Sequence, residues 1–249
     1  MPAPLVSVIT VVYNAERLID RTIRSVSAQK VVTLEHIIMD GASKDGTLAK
    51  IQSMMNTAMT VYSEADSGIY DAMNKAMNKA SGSFIIFMNA GDEFYDDGAL
   101  ERALSGHENA DFIYGNTAVV DEQANVLGDR RLQPPAQLNW RSLQRGMCVS
   151  HQSMLVRRSV AEPYNLNYRI SADIDWTIRM LKKSDHVVNA NGYIAKFLEG
   201  GVSSSRRKEG LKERFRIMVK HYGWFTTVFN HAVILMRFVW HRITRSSMT

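Results

Sequence analysis

Apolar residues fall along this chain in short continuous runs and in helical stripes, and the two alternate. Leu5 to Val12 (LVSVITVV), His36 to Asp40 (HIIMD), Met59 to Glu64 (MTVYSE) and Phe84 to Met88 (FIIFM) have the length and character of buried strands. Between them, Glu16 to Gln29 sets Leu18, Ile19, Ile23 and Val26 on one stripe. Thr47 to Asn56 follows the turn DGASKDG, and Ile69 to Ala80 carries Met73, Ala76, Met77 and Ala80 at helical spacing. The spacing predicts β-α-β-α-β-α-β with short connections. That order implies an α/β fold, a parallel sheet with helices on both faces joined by right-handed crossovers. The many methionines read as adaptable core filling.

Beyond Asp111 the pattern changes. DFIYGNTAVVD predicts a further strand and a turn, LQPPAQLNWRSL a proline-marked loop, and His151 to Val160 (HQSMLVRRSV) a strand followed by a helix start. Asp173 to Lys183 (DIDWTIRMLKK) predicts a helix, and His186 onward supplies late strands and then a Gly/Ser/basic loop. No internal repeat is present.

In parallel α/β sheets ligands bind beyond the carboxyl ends of the strands. Those ends here are Tyr13-Asn14, Asp40, Glu64-Ala65-Asp66 and Asn89-Ala90-Gly91-Asp92, so carboxylates and amides converge on one edge. Neither G-x-G-x-x-G nor G-x-x-x-x-G-K-[ST] occurs, which removes the dinucleotide and P-loop grips. A phosphate ligand therefore needs another source of positive charge, and a divalent cation, Mg²⁺ or Mn²⁺, bridging carboxylate and phosphate is the natural candidate. Asp92, on a glycine turn after a buried strand, suits a metal ligand. It also suits a turn aspartate bonding its own backbone. Asp40 either opens the turn DGASKDGT, in which Ser43 or Asp45 caps the next helix, or accepts the imide N–H of a uracil ring.

Composition narrows the class further. At 45% hydrophobic and 22% charged, the 249 residues suit a folded α/β domain and not a disordered chain. The single Cys148 makes no intrachain disulfide and no cysteine metal cage, which fits a reducing compartment. The stretch MPAPLVSVITVVYN lacks a basic leader region, so a cytoplasmic location is expected. Trp224 to Trp240 is apolar but interrupted by Asn230, His231 and Arg237, and is too short to cross a bilayer. From Arg206 to Thr249, ten Lys and Arg face two Asp and Glu, a net +8 in a chain of +5, so the remainder is acidic at −3. A basic, aromatic, amphipathic end suits an anionic membrane surface, or a final helix pair packed on the domain with a solvated basic face. Nucleic acid ranks last, because the body is acidic and carries no recognition motif.

Five blocks, VSVITVVYN, IIMDGASKDGT, EADSGIYDAMNKAMNKASGSFIIFMNAGDEF, HQSMLVRR and SADIDWTIRML, occur in the order and spacing of glycosyltransferase family 2. Over roughly Leu5 to Ser203 the chain resembles the small bacterial members that build exopolysaccharide, colanic acid and O-antigen repeat units. The resemblance implies a GT-A fold, a Rossmann-like and mostly parallel sheet with helices on both faces; the amphipathic C-terminal helices expected after it are not part of the resemblance. It also implies a nucleoside-diphosphate-sugar donor and an inverting displacement. Thr10, Tyr13 and Asp40 would hold the nucleobase and ribose, and Asp66 and Gly68 would close the base pocket. Asp71 and Asn74 would line the donor side, and Asn14, Ser43 and Asn89 are counted with the donor-binding residues. NAGD stands where relatives carry D-x-D or D-x-D-D; Asn89 and Gly91 replace two acids and leave Asp92 as the strong metal ligand. Asp173 matches the second acid of the family's Glu-Asp pair, the general base, with Ala172 replacing the Glu and Asp175 as fallback. His151 matches a position near the acceptor or diphosphate, and Arg206 follows a loop placed either to fold over the diphosphate or to link to the tail.

Residues 1–115 thus read as a nucleotide-sugar-binding half, 116–203 as the acceptor-binding half of the same domain, and 204–249 as a basic amphipathic tail. The implied function is transfer from a UDP-sugar to a lipid-linked saccharide at the inner face of the cell membrane, assisted by Mn²⁺ or Mg²⁺. The rivals are a non-catalytic sugar-nucleotide-binding subunit, motivated by the missing acids, and a nucleotidyltransferase, which wants a Gly/Arg-rich loop absent after strand one.

Overall fold

Strand β1 (Val6–Val12) is buried at all seven positions because helices cover both faces of the sheet it centres. Its pleat sends Ile9 and Val11 to one face and Val6, Val8 and Val12 to the other, where they join separate apolar clusters. The computed structural model describes residues 5–30, 33–200, 206–233 and 236. β1 pairs in parallel with β2 (Leu34–Asp40) and β4 (Phe84–Phe87), and β2 with β3 (Met59–Ser63), so four strands end on one edge.

Helices α1 (Ile19–Ser27) and α2 (Thr47–Ser53) lie on one face, with Ile19, Ile23, Val26 and Ile51 buried. On the opposite face α3 (Ile69–Met77) buries Tyr70, Met73 and Ala76 against Ile9, Val11, Ile37 and Met39. Of the stripes predicted from spacing, Ile19, Ile23, Val26, Met73, Ala76 and Ala80 are buried, and Leu18 and Met77 are half-buried at their edges.

The second half is mixed. After β5 (Glu93–Phe94) and α4 (Ala99–Leu104), β6 (Phe112–Val120) forms a hairpin with β7 (Val126–Asp129). β8 (Met154–Arg157) runs antiparallel between β4 and β6, and β9 (Val187–Leu198) runs parallel to β6 and antiparallel to β5. The strand order is β3-β2-β1-β4-β8-β6-β9-β5, with β7 on β6. The expected helix start before Val160 does not form: His151–Ser153 is a 3₁₀ turn, β8 follows, and the Arg158 N–H continues the pairing to Ser83 O at 2.8 Å. The proline-marked loop ends in a 3₁₀ helix, Trp140–Arg145, closed by a capping box between Asn139 and Ser142.

α5 (Ala172–Lys183) packs beside α6 (Arg207–Tyr222), which buries Ile217 and Met218 in the larger core cluster. Trp140 and Tyr222 stack with ring centres 5.5 Å apart. α6 is therefore docked on the domain. No helix among the described residues is long and apolar enough to cross a membrane. The Gly/Ser stretch 201–205, and 237–249 of the tail, lie outside the described residues.

Candidate active site

The ends of β1, β2 and β3 make one half of the site. Asp40, fully buried at the last position of β2, stands opposite Ser63 in the register and accepts the Ser63 hydroxyl at 2.6 Å and the Ser43 N–H at 3.2 Å. Gly41 follows, and a Cβ there would meet Asp66 Oδ2 at 2.4 Å and Tyr13 Cδ2 at 3.4 Å. Glycine thus lets Tyr13 and Asp66 close over the strand end, and Tyr13 is 58% exposed, its ring open to a planar ligand. Asp66 accepts the Gly68 N–H at 2.8 Å, and Gly68, at φ +128°, has open space where its side chain would be. Asn14 and Ser43 spend themselves on each other's loops: the Asn14 N–H donates to Ser43 Oγ at 2.9 Å and the Lys44 N–H to Asn14 Oδ1 at 2.8 Å. They lock the rim.

Two expected donor residues are placed elsewhere. Thr10 is on the α1 side of the pleat, fully buried, donating to Met88 O at 2.7 Å and paired with His36 Nε2 at 2.9 Å. Burial holds His36 neutral, down to about 3. Asn74 gives both ends of its amide to the Tyr164 backbone, at 3.0 and 2.6 Å, and anchors a loop. Asp71 sits on the rim, accepting the Ser67 N–H at 2.9 Å with Lys75 at 3.5 Å; the Ser67 bond does most to lower its carboxyl.

The end of β4 departs from expectation at Gly91 and Asp92. Gly91, at φ +98°, has Leu198 Cδ2 2.7 Å from the position of a Cβ, so its missing side chain admits β9 and not a ligand. Asp92 is buried, with Oδ1 accepting the Leu198 N–H at 3.0 Å and Oδ2 the Gln152 amide at 2.7 Å. Burial pushes it up to about 7 against those bonds. Both oxygens are engaged in tying β4 to β8 and β9, which is a clamp and not an open metal ligand. The described residues hold no cluster of three or more His, Cys, Asp or Glu suited to a metal. Among the described residues Asn89 Oδ1 is a buried carbonyl oxygen without a hydrogen-bond partner, an oxygen of the kind a hard cation takes. Its Nδ2 lies 3.1 Å from His151 Nε2.

His151 packs edge-on against Phe87, its basicity lowered by burial and partly restored by Asp173. Asp173 occupies the first turn of α5, where Tyr70 Oη donates to its Oδ1 at 3.3 Å and to Ile170 O at 3.0 Å. Burial, then the Asp173 charge, raises the Tyr70 hydroxyl well above its usual range, so it stays a donor. Tyr70, Tyr164, Phe87 and Trp176 stack or meet edge-on with centres 5.0 to 5.9 Å apart, joining α3, β4 and α5 under the site. Ala172 is fully buried in the same cluster, and a carboxylate there would be desolvated.

Asp175, the fallback base, is a structural ion. It is fully buried and bonded by Arg179 at 2.9 Å, Lys220 at 3.0 Å and His221 at 2.8 Å. Burial alone would raise its carboxyl, but His221, Lys220 and Arg179 together hold it well below the usual range. Glu213 of α6 accepts the N–H groups of Arg169, Ile170 and Ser171 at 2.8 to 2.9 Å, fixing the strand of chain that leads into Asp173. Arg206 is exposed and pairs with Glu209 at 2.6 Å. Tyr70 and Glu213 escaped sequence reasoning; the only trace of Tyr70 was its helical phase with Asn74.

The family model of glycosyl transferase family 2 matches residues 7–164, and Asp173 lies beyond that match. The PGL/p-HBAD biosynthesis glycosyltransferase of Mycobacterium bovis (strain BCG / Pasteur 1173P2) is 31% identical over 188 residues, 72% of this chain and 70% of the relative. The putative teichuronic acid biosynthesis glycosyltransferase TuaG of Bacillus subtilis is 27% identical over 85% of this chain and 86% of its own. Among solved structures, S. aureus TarS 1-349 in complex with UDP superposes with TM-score 0.65 at 17% identity over 87% of this chain. The mannosyltransferase PcManGT of Pyrobaculum calidifontis, solved with GDP-Man and Mn²⁺, gives TM-score 0.64, also at 17% identity and over 87% of this chain. This chain spans 64% of each of those solved chains. With the mixed sheet of these GT-A neighbours and a family match over most of its length, the chain belongs to glycosyl transferase family 2.

Proposed function

We propose that this enzyme transfers a sugar from a nucleoside diphosphate donor, a UDP-sugar, to a lipid-linked saccharide acceptor, with inversion at the anomeric carbon and Asp173 as general base. The observation that carries this reading is one of placement. The strand-end cradle of Tyr13, Gly41, Asp66 and Asp40 and the carboxylate of Asp173 sit on the same edge of the sheet, with Asn89 and His151 at the end of β4. Asp40 would accept the imide N–H of the base, and Tyr13 would lie on its face. Asp173 would take the proton of the acceptor hydroxyl as it attacks, while the Tyr70 hydroxyl holds the other carboxylate lone pair in line. His151, kept neutral by its surroundings, would orient Asn89. A divalent cation, Mn²⁺ or Mg²⁺, would bind Asn89 Oδ1 and the donor phosphates and supply charge neutralisation for the leaving diphosphate. The solved neighbours bound to UDP, and to GDP-Man with Mn²⁺, support a nucleotide-sugar donor.

Calorimetric titration with UDP and GDP, with and without Mn²⁺, tests this. UDP is expected to bind more tightly with Mn²⁺, and Asn89→Ala to weaken that Mn²⁺-dependent increment by about ten-fold or more, as losing a metal-site group does. Asp92→Asn is expected to leave the increment in place. A folded wild type that binds neither nucleotide would sink the proposal.

The acceptor assignment draws support from the helical stretch 224–233, where Trp224, Phe225, Val228 and Phe229 are exposed, the two Phe at 84% and 66%. Spaced at 0, 1, 4 and 5 on a basic segment, they suit the interface of an anionic membrane on the cytoplasmic side. Replacing Phe225 and Phe229 together by Ser is expected to lower partitioning into phosphatidylglycerol vesicles by roughly ten-fold or more, given the apolar area each Phe would bury. Unchanged vesicle binding at low salt would remove the membrane role.

A further inference from the structure

Half-buried arginines elsewhere among the described residues, Arg21, Arg157 and Arg179, each have a carboxylate within 4 Å. Arg21 is paired to Glu93, and Arg179 to Asp175 and Glu162. Arg130 is the exception. It follows β7, its Nη2 donates to Met147 O at 3.3 Å, and its Nη1 is buried without a hydrogen-bond partner among the described residues. Among the described residues it has no ion pair. A guanidinium does not shed its proton, so this site keeps a desolvated positive charge that the fold leaves unsatisfied.

The place of that charge is informative. Met147 precedes His151 by one short turn, and Leu132, two residues past Arg130, packs against Gly146, where a Cβ would come within 2.9 Å of its Cδ1. Burial lowers Arg130 from its ordinary value while the Asp173 charge pulls it back up. Arg214 of α6 is near enough to oppose it as well. The unpaired cation therefore stands within electrostatic reach of Asp173 and is tied to the chain four residues before His151. At the end of β4, Asn89 and Gly91 contribute no carboxylate and Asp92 is turned inward, so nothing there competes for it.

We infer that Arg130 is an oxyanion subsite beside Asp173 that takes a phosphate oxygen on its free Nη1. The inference rests on the proposed transferase reading. Arg suits the role because its fixed fork matches a phosphate and keeps its charge when dry. Two phosphates come to such a site: the diphosphate leaving with the donor's nucleoside, and the phosphate of a lipid-linked acceptor. Charge placed where the leaving group develops its own would stabilise the transition state.

Arg130→Met in the full chain separates these cases. A residue kept for a ligand, and not for the fold, is expected to leave the melting temperature unchanged or raised when an apolar side chain of similar volume replaces it. UDP affinity is expected to fall at least ten-fold with uridine affinity unchanged, which assigns the subsite to the donor diphosphate. If UDP affinity holds but inorganic pyrophosphate no longer binds to the UDP-saturated protein, the subsite is the acceptor's. Arg130→Lys, which keeps the charge and loses the fork, is expected to show a smaller loss in the same titration and serves if the Met variant does not fold. UDP and pyrophosphate titrations that superimpose on wild type in a folded variant overturn the subsite, whatever the melting temperature does. A wild type that takes up no uridine nucleotide counts against the transferase reading; pyrophosphate binding that is the same with and without Arg130 then still overturns the subsite.

Discussion

Asp173→Asn is expected to reduce turnover by roughly 10²–10⁴-fold, the range in which a positioned general base contributes, while UDP affinity stays at its wild-type level. The substitution is nearly isosteric. Oδ1 of an asparagine can still accept the Tyr70 hydroxyl, now 3.3 Å away, so the first turn of α5 keeps its shape and loses only its basicity. Steady-state rates with a donor sugar, beside a UDP titration of the same preparation, check both halves. Retained turnover would move the base elsewhere on the sheet edge. Asp175 is no substitute, because its lone pairs already belong to Arg179, Lys220 and His221.

Asp175→Ala is expected to cost about 3–5 kcal/mol of stability, the usual penalty for removing one member of a buried ion cluster. The loss falls on the joint between α5 and α6. Arg179 retains Glu162 and the Pro163 carbonyl, but His221, itself 6% exposed, is left inside without its carboxylate. Thermal unfolding followed by circular dichroism is expected to shift down by roughly 6–20 °C, from the few degrees per kcal/mol of a domain this size. The pH dependence has a definite sign. The native carboxyl is held below its ordinary value of 3.8, so the stability it contributes is in place above that pH and fades as pH falls through the native value. The alanine variant should lose that acid-side slope. An unshifted melting curve would show that α6 does not depend on this cluster.

The joint also bears on the division of the chain into two halves and a basic tail. Glu213, Lys220 and His221 all come from the segment the sequence marks as a tail; Lys220 and His221 hold Asp175, and Glu213 holds the approach to Asp173. Deleting Arg206 to Thr249 would therefore disturb the base as well as any membrane contact, which is why point changes at Phe225 and Phe229 are the cleaner membrane test.

Strand and helix assignments in the first hundred residues were legible because they follow from neighbours in sequence. Continuous apolar runs fit a sheet covered on both sides, and a 3.6-residue stripe fits a helix laid on it. The strand-end rule then placed Tyr13, Asp40 and Asp66 together, as the contacts around Gly41 show. Thr10 failed for a reason of parity: one residue along a strand reverses the face, and its hydroxyl meets His36 and Met88 in the interior. Asn74 and Asp92 failed for a reason of distance. Their hydrogen-bond partners are 90 residues away for Asn74, and 60 and 106 residues away for Asp92. The family pattern marked the positions without saying which atoms were already spent.

The amino-acid order alone thus points to the α/β architecture, through periodicity and turn chemistry that act over a few residues, and to the family, through its ordered motif blocks. Which carboxylate is free to react is a property of the folded chain. Asp92, Asp173 and Asp175 are alike as residues, and they differ because long-range packing among the described residues gives Asp92 two N–H donors, Asp175 three cations, and Asp173 one tyrosine hydroxyl.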